Sequence, residues 1–381
     1  MGLQEPTVPI KSRPASGEDK LVGIELLRFA SAVAVLVFHY QHLAYPGAEQ
    51  RPFVVADAPF YSMLPLFYDY GFYGVQVFWC ISGFIFFWKY RDAVASGRLS
   101  GRNFFVLRLS RLYPLHFATL LIVALLQMVY LAKNSAYFVY QYNDPYHFVL
   151  QLFMASNWGL QAGDSFNGPI WSISIEVLAY LIFFLGLRYI SGSLAFAALM
   201  AFGSAAVVFL KISAHPLFSC LMFFYIGCLT AIAYGRVKDA ARYRTAATVA
   251  AITILGSMLA LQFYVRIKPM YFLLAFSPAL IYLSVAHIRA TRLTSRWLVA
   301  AGSMTYSSYL LHVPIQLTVA VIATYAGWSI PVYNPWLFLA FMVGTLFASY
   351  YCYKFFEMPA QNYLRRKLLY ADSPARTRPA G

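Results

Sequence analysis

Long runs of apolar residues follow one another along the chain, with short polar segments between them. Each run is close to or longer than the about 20 residues that an α-helix needs to cross the hydrocarbon core of a bilayer. A span in lipid must be helical, because its backbone polar groups find partners only within the segment. The pattern therefore predicts an all-α polytopic membrane protein, a bundle of about ten transmembrane helices. The predicted spans are 21–43, 71–88, 104–131, 169–187, 191–210, 214–234, 246–263, 269–286, 298–326 and 335–356.

The two ends of the chain differ from the part between them. Residues 1–20 are polar and lack the charged start and apolar core of a signal peptide, so we expect a cytoplasmic tail there. One transmembrane domain is expected over residues 21–368, since no repeat and no soluble domain interrupts it. Residues 369–381 are expected to form a second cytoplasmic tail.

The composition excludes several classes of protein. Hydrophobic residues make up 61% of the 381 residues and charged residues only 11%, against about 25% charged residues in soluble domains. These values exclude a disordered chain, a coiled coil and an ordinary soluble enzyme. The four cysteines lie in apolar runs without the spacing of metal ligands, so we expect small buried side chains and no metal site.

The basic excess is distributed as a membrane topology would require. The chain has 29 Lys and Arg against 14 Asp and Glu, a net charge of +15. With the N-terminus inside, most of these basic residues fall in the inner connections and few in the outer ones, in agreement with the positive-inside rule. We therefore predict that both termini are cytoplasmic, and the charge needs no nucleic-acid partner to explain it.

Ionisable residues inside the predicted spans are costly, so each is a candidate for function. In the first span, Arg28 and His39 are eleven residues apart, which places them on one helix face about 16 Å apart along the axis. This arrangement favours a polar path through the membrane. The alternative is that Arg28 pairs with Glu25 one turn earlier and that His39 caps the outer end. His42 follows close to the interface.

The fourth span carries a carboxylate at a depth similar to that of His39. Asn167 and Pro169 suit the start of this helix, and Glu176 follows about two turns into the membrane. A carboxylate beside an imidazole fixes its tautomer and raises its basicity, so Glu176 is a candidate partner of His39. The alternative is a structural Glu176 that is hydrogen-bonded to Ser172 or to an aromatic hydroxyl.

The third span begins with two arginines, Arg108 and Arg111, which are neighbours on one helix face. Two guanidinium groups at the membrane edge suit bidentate binding of a phosphate or pyrophosphate. The alternative is that they only set the topology or contact lipid head groups.

The ninth and second spans add hydroxyls and small residues. The ninth span contains Ser307-Ser-Tyr309-Leu-Leu-His312, a run of hydroxyls with a histidine near mid-membrane, which favours a lined cavity. Ser82 and Gly83 in the second span allow close helix approach. The alternative for this pair is that it admits a thin acyl chain.

Taken in order, these motifs resemble those of the membrane acyltransferase family three. The likeness covers about residues 20–368, and it is carried by the order of the motifs together with the ten spans. The motifs are Arg28 with His39, Phe78-Trp-Cys-Ile-Ser82-Gly83-Phe84, Arg108 with Arg111, Trp171-Ser-x-x-x-Glu176, Ser307-Ser-Tyr309-Leu-Leu-His312 and the closing Glu357-Met-Pro359.

The resemblance implies an integral membrane O-acyltransferase, multi-pass in the bacterial cell (inner) membrane. Members of that family take acyl groups, usually acetyl, from cytoplasmic acyl-CoA and modify sugars of exopolysaccharide, O-antigen, peptidoglycan or macrolides. For this chain it implies acetyl-CoA as the donor and an extracytoplasmic polysaccharide or glycolipid as the acceptor. The expected partners are acyl-CoA, the acceptor glycan, membrane lipid and polysaccharide assembly proteins, without nucleic acid and without a metal.

The resemblance also suggests roles for the motif residues. His39 is the expected general base, Glu176 would orient it or bind the sugar, and Arg28 would steady the thioester region. The choice of base among His39, His42 and His312 is open, as is the choice between direct transfer and an acyl-enzyme. The expected catalytic residues are thus His39, Glu176 and Arg28, and the expected donor-binding residues are Arg108, Arg111, Ser82, Tyr309 and His312.

Two other functional classes stay open at this point. A transporter or flippase of lipid-linked sugars often has internal repeats, and the sequence has none that we detect, which counts against this class. A scaffold of a polysaccharide assembly complex would not need Arg28, His39 and Glu176 in its interior. Slow hydrolysis of acetyl-CoA, or binding of CoA, separates the acyltransferase from both.

Overall fold

The computed structural model describes residues 21–45, 53–190, 192–288 and 292–369, and of residues 292–295 only the backbone. This described part is all-helical and contains no strand, as the apolar pattern predicts. The two predicted tails, apart from Leu369, lie outside the described residues.

The helices follow one another with short connections, and the longest connection in the described part joins the fourth helix to the sixth. Short 3-10 turns cover Tyr40–Ala44, Val55–Asp57 and Gly71–Tyr73, and a π-helical turn covers Tyr353–Glu357. The helices are α1 (Val22–His39), α2 (Pro65–Tyr70), α3 (Gly74–Ala95), α4 (Gly101–Leu131), α5 (Pro145–Leu152), α6 (Ile170–Tyr189), α7 (Ser193–Phe209), α8 (Pro216–Val237), α9 (Ala241–Tyr264), α10 (Pro269–His287), α11 (Arg292–Ser303), α12 (Thr305–Ala326), α13 (Pro335–Cys352) and α14 (Met358–Leu369).

Within the described ranges, nine helical stretches are long and apolar enough to cross a membrane. The predicted run 191–210 forms α7, which has 17 residues and is about 26 Å long, somewhat short of a full crossing. The predicted run 298–326 is divided between α11 and α12, which meet at Met304. The polytopic membrane fold is therefore confirmed, with nine rather than ten full-length spans in the described part.

Local sequence signals place the helix starts. Ser100 immediately precedes α4, and its hydroxyl accepts a hydrogen bond from the Asn103 amide at 3.2 Å. Asn334 does the same for Trp336 at the start of α13. Side chains that satisfy the first amides of a helix stabilise its N-terminus. A proline in the first turn, as in α8, α10 and α13, adds a fixed φ without removing a needed donor.

Small residues bring α3 and α8 into backbone contact. A Cβ on Gly83 would collide with the backbone carbonyl of Phe224, and one on Gly227 would collide with that of Cys80. Only glycine permits this approach, as the packing interpretation of the second span predicts. The result is a close α3–α8 pair at the centre of the bundle.

An aromatic core surrounds this pair. The ring centroids of Phe86, Phe183 and Phe224 lie 5.6 to 5.7 Å from one another in edge-to-face arrangements, which are favourable for aromatic side chains. This core joins α3, α6 and α8, and its Phe86 lines the polar cavity described next.

Candidate active site

A polar cavity of about 130 Å³ lies between α1, α3, α4, α6 and α12. Most of its other lining is aliphatic or aromatic, so the polar groups converge on a small volume. The sequence separates these residues widely, and only the packing of five helices brings them together. Six of the predicted site residues line it: Arg28, Ser82, Arg108, Arg111, Glu176 and Tyr309.

Arg28 has two hydrogen-bond partners, of which Thr305 also lines the cavity. Its Nη1 is 3.0 Å from the Glu25 Oε2, and its Nη2 is 3.3 Å from the Thr305 Oγ1. The ion pair with Glu25 is the alternative that the sequence left open. It does not remove Arg28 from the site, because the guanidinium still lines the cavity. The pair compensates a charge whose burial would otherwise be costly.

The two arginines of α4 both line the cavity, as their spacing predicts. The Arg108 guanidinium lies 4.6 Å from the ring centroids of Phe86 and Tyr90 and donates to the Tyr90 hydroxyl. The Arg108 Nε is buried without a partner among the described residues. Together with Arg111, it supplies directed donors that suit an anionic group.

Glu176 belongs to the arginine cavity and not to His39. Its carboxylate lies beside the hydroxyls of Ser82 and Tyr180, within the electrostatic influence of Arg28 and Arg108. Its Oε1 is buried without a partner in the described part of the chain. No contact between Glu176 and His39 is present among the described residues, so the expected orienting contact is wrong. The physical reason is that one face of α6 directs Glu176 toward the arginines.

Three histidines form a second cluster, at the end of α1. The ring centroid of His39 is 4.9 Å from that of His42 and 5.0 Å from that of His312. His39 is 7% exposed and His312 is completely buried. We refer to His39, His42 and His312 as the histidine cluster. The three candidate bases that the sequence could not separate are therefore neighbours.

A backbone carbonyl orients the ring of His39. The His39 Nδ1 is 3.0 Å from the Val35 carbonyl oxygen, one turn earlier in α1. A carbonyl can only accept, so this contact assigns the proton to Nδ1 and leaves the lone pair on Nε2. The tautomer that a general base needs is thus set by Val35 and not by a carboxylate.

A proline in α12 creates a free carbonyl, which Asn167 satisfies. Pro314 has no N–H to donate to the Leu310 carbonyl, four residues earlier. The Asn167 Nδ2 donates to this oxygen at 3.0 Å. The sequence interpretation of Asn167 as a helix cap is therefore wrong, since its side chain bridges to α12. This bridge holds the start of α6 against the part of α12 that carries His312.

Tyr309 connects the cavity with the histidine cluster. Its hydroxyl is 2.8 Å from the Ser172 Oγ, and both residues line the cavity. Its ring centroid is 6.0 Å from that of His312. Polar side chains therefore continue from Arg111 at one end, past Tyr309, to His39 at the other.

Two further residues of this arrangement were missed in the sequence. Gln316 is buried and its Nε2 donates to the His39 carbonyl at 2.8 Å. Tyr180 lines the cavity beside Glu176. Each follows a recognised site residue by four positions, His312 and Glu176 respectively, and therefore shares its helix face. That spacing was the signal that could have identified them.

Comparison with known proteins identifies the family of this chain. The acyltransferase domain of acyltransferase family 3 matches residues 21–354, a range that contains both the cavity and the histidine cluster. Comparison with curated proteins and with solved structures gave no match. The family match extends over most of the chain and not over a single motif. The chain therefore belongs to acyltransferase family 3.

Proposed function

We propose that this membrane acyltransferase moves an acetyl group from cytoplasmic acetyl-CoA to a sugar hydroxyl of an extracytoplasmic polysaccharide or glycolipid. The family match establishes a membrane O-acyltransferase in general. The acetyl donor, the sugar acceptor, the cytoplasmic position of both termini and the bacterial inner membrane belong to the proposal. The positive-inside distribution of Lys and Arg supports the orientation.

The observation that carries the proposal is the polar path between two chemically different ends. One end is the cavity with Arg28, Arg108 and Arg111, which suits a polyanionic donor. The other end is the histidine cluster, which contains a ring with a defined lone pair. Transfer across a bilayer needs such a division, with an anion site on one side and a base on the other.

The donor end binds CoA through charge. Arg108 and Arg111 hold the phosphates through charge-assisted hydrogen bonds, which are about twice as strong as neutral ones. Glu176 lies near Arg28 and Arg108, and its carboxylate limits the repulsion between their guanidinium groups when no anion is bound. It acts as a positioning residue for the guanidinium groups.

The transfer step takes place at the thioester carbon. The His39 Nε2 removes the proton from the acceptor hydroxyl. The oxygen of that hydroxyl attacks the carbonyl carbon of the thioester, and a C–O bond forms. We assign the stabilisation of the oxyanion to the Tyr309 hydroxyl, because Tyr309 lies between the cavity and the histidine cluster. The C–S bond then breaks, and the CoA sulfur is the leaving group. The proton on His39 passes to this sulfur, and the acetylated sugar is released. General base catalysis of this kind contributes about 10²–10⁴ in rate.

The test is acyl transfer from labelled acetyl-CoA into surface glycan, in membranes with matched expression of each variant. We expect label with the wild type, none above background with His39→Ala, and a raised acetyl-CoA KM with Arg111→Ala. His287→Ala is the control, because His287 at the end of α10 contacts Thr248 and does not line the cavity.

The outcomes separate the parts of the proposal. Equal label with wild type and His39→Ala, together with none for His312→Ala, would move the base to His312. An unchanged acetyl-CoA KM in Arg111→Ala would remove Arg111 from the donor site. A folded wild type that neither binds acetyl-CoA nor labels glycan would contradict the proposed function itself.

A further inference from the structure

The connection between α4 and α6, residues 132–169, is held in a defined conformation by side chains. Gln127 donates to the Phe138 carbonyl and accepts from the Phe138 amide, both at 2.9 Å. Asn143 donates to the Tyr140 carbonyl and accepts from the Phe166 amide, both at 2.6 Å. These bonds fix the connection on both sides of Tyr140. A connection held in this way can present side chains to a ligand with precision.

The backbone of this connection is strained where it positions Tyr140. Val139, Met154 and Phe166 have positive φ angles of 57°, 55° and 46°, and such conformations are costly for residues other than glycine, most of all for a β-branched valine. Val139 directly precedes Tyr140. The Tyr140 ring in turn lies against Gly168, where a Cβ would collide with it. The positive φ angle of Val139 and the close contact with Gly168 thus both occur at this one ring.

Tyr140 lies at the outer end of the histidine cluster, and Asp164 lies near Tyr140. The ring centroid of Tyr140 is 5.9 Å from that of His42, in an edge-to-face arrangement. The charge of Asp164 acts on both Tyr140 and Tyr309, although Asp164 itself is exposed. Burial, together with the charge of Asp164, raises the pKa of Tyr140. Its hydroxyl therefore remains a hydrogen-bond donor at all physiological pH values.

The buried polar atoms beside these residues can take further hydrogen bonds. The His312 Nε2 is buried without a partner in the described part of the chain. The Gln316 Nε2 donates to the His39 carbonyl, so the oxygen of that amide is the group that faces the ring of His42. A carbonyl oxygen has two lone pairs, so the Gln316 Oε1 can accept a second hydrogen bond beside the one from His42. Because buried polar atoms are rarely left unpaired, these two atoms favour a ligand that carries hydroxyls.

We propose that these groups form the acceptor subsite, in which a sugar ring lies against Tyr140. The hydroxyls of this sugar donate to the Asp164 carboxylate and to the Gln316 Oε1, and one of them lies against the His39 Nε2. This inference rests on the proposed function, since it names the place where the acceptor of that reaction binds. Tyr140 and Asp164 are then residues that determine acceptor binding and take no part in donor binding.

The test compares acceptor and donor kinetics for Tyr140→Phe and Asp164→Ala, with Asp57→Ala as the matched control. Asp57 is an exposed carboxylate of the connection that follows α1. Labelled acetyl-CoA is the donor, and surface glycan isolated from cells that lack the protein is the acceptor. For Asp164→Ala we expect an acceptor kcat/KM about tenfold lower, as for loss of a hydrogen bond to a charged group. The acetyl-CoA KM stays at the wild-type value, and Asp57→Ala behaves as the wild type.

The conservative Tyr140→Phe variant keeps the ring in place and removes only the hydroxyl. A change in its kinetics therefore does not come from a folding defect. A smaller fall in acceptor kcat/KM, with an unchanged acetyl-CoA KM, is expected for it. If both variants keep the wild-type acceptor kcat/KM while the wild type labels glycan, the acceptor subsite is overturned and the proposed function stands. If the wild type binds no acetyl-CoA and labels no glycan, the proposed function fails and the subsite with it.

Discussion

At the scale of single residues, three buried charged side chains in and near the site have a close neighbour that compensates them. Arg28 pairs with Glu25, and Arg108 lies over two aromatic rings. Glu357, which is 1% exposed, accepts a hydrogen bond from the Ser307 hydroxyl at 2.6 Å. Local compensation lowers the cost of burial and keeps charged groups available where a polyanionic donor would enter.

The contact between Asn167 and the Leu310 carbonyl gives a prediction at this scale. Asn167→Leu leaves that carbonyl without a donor, and we expect a loss of about 1–3 kcal/mol in the free energy of unfolding. In the Pro314→Ala background, the new amide of residue 314 can donate to the same carbonyl, so the effect of Asn167→Leu becomes smaller. A double-mutant cycle of thermal unfolding in detergent measures this coupling. Strictly additive effects would contradict the assignment.

At the scale of elements, α12 carries residues of both halves of the site on one face. Tyr309, His312 and Gln316 follow at spacings of three and four, which places them in a row along the helix. Tyr309 faces the arginine cavity, and the other two contact His39. A shift of α12 along its axis would therefore change the arginine cavity and the histidine cluster together.

The cap of α5 gives a prediction at the scale of elements. The Asp144 Oδ1 accepts from the His147 amide at 3.0 Å, and this bond holds the pKa of the Asp144 carboxyl below its ordinary value. The stabilisation is therefore present above the ordinary pKa of aspartate and is lost as the pH falls through the lowered pKa. Asp144→Ala should weaken α5 by about 1 kcal/mol at neutral pH.

Amide hydrogen exchange of residues 145–152 measures this effect in the wild type, in Asp144→Ala and in the control Asp57→Ala. We expect faster exchange in Asp144→Ala at neutral pH, and convergence with the wild type in strong acid. If the exchange rates of the wild type and Asp144→Ala differ equally at neutral pH and in strong acid, the charge of Asp144 does not contribute to the stability of α5.

At the scale of the whole molecule, the site exists because several helices meet. The cavity takes residues from α1, α3, α4, α6 and α12, and the α3–α8 contact supports one of its walls. In contrast, only 6% of the apolar window of α9 is buried, so this helix stands at the edge of the bundle. The site thus depends on the central helices and not on the peripheral ones.

Gly83 gives a prediction at this scale. A methyl group at Gly83 meets the backbone of Phe224, so Gly83→Ala must separate α3 from α8. Overpacking of this kind costs about 1–3 kcal/mol, and we expect a lower Tm together with lower acyltransferase activity. Gly256→Ala in α9 is the matched control, since nothing lies within 4 Å of a Cβ there. Equal Tm values for the two variants would contradict the role of the α3–α8 contact.

The sequence by itself determined the membrane fold, the family and most of the members of the site. Apolar runs of sufficient length leave the helix as the only structure for an open chain in lipid. Ionisable residues in such runs are costly enough to identify Arg28, His39 and Glu176 as functional candidates. Helical spacing also placed Arg108 beside Arg111, and both line the cavity.

Only the tertiary structure decided which of these residues are neighbours. Equal depth in the membrane suggested that Glu176 would contact His39, but depth does not determine the direction in which a helix face points. The rotation of α6 places Glu176 among the arginines, and α12 brings His312 and Gln316 to His39. Helix rotation and crossing result from packing such as the Gly83 contact, which links residues far apart in the chain and has no local signal.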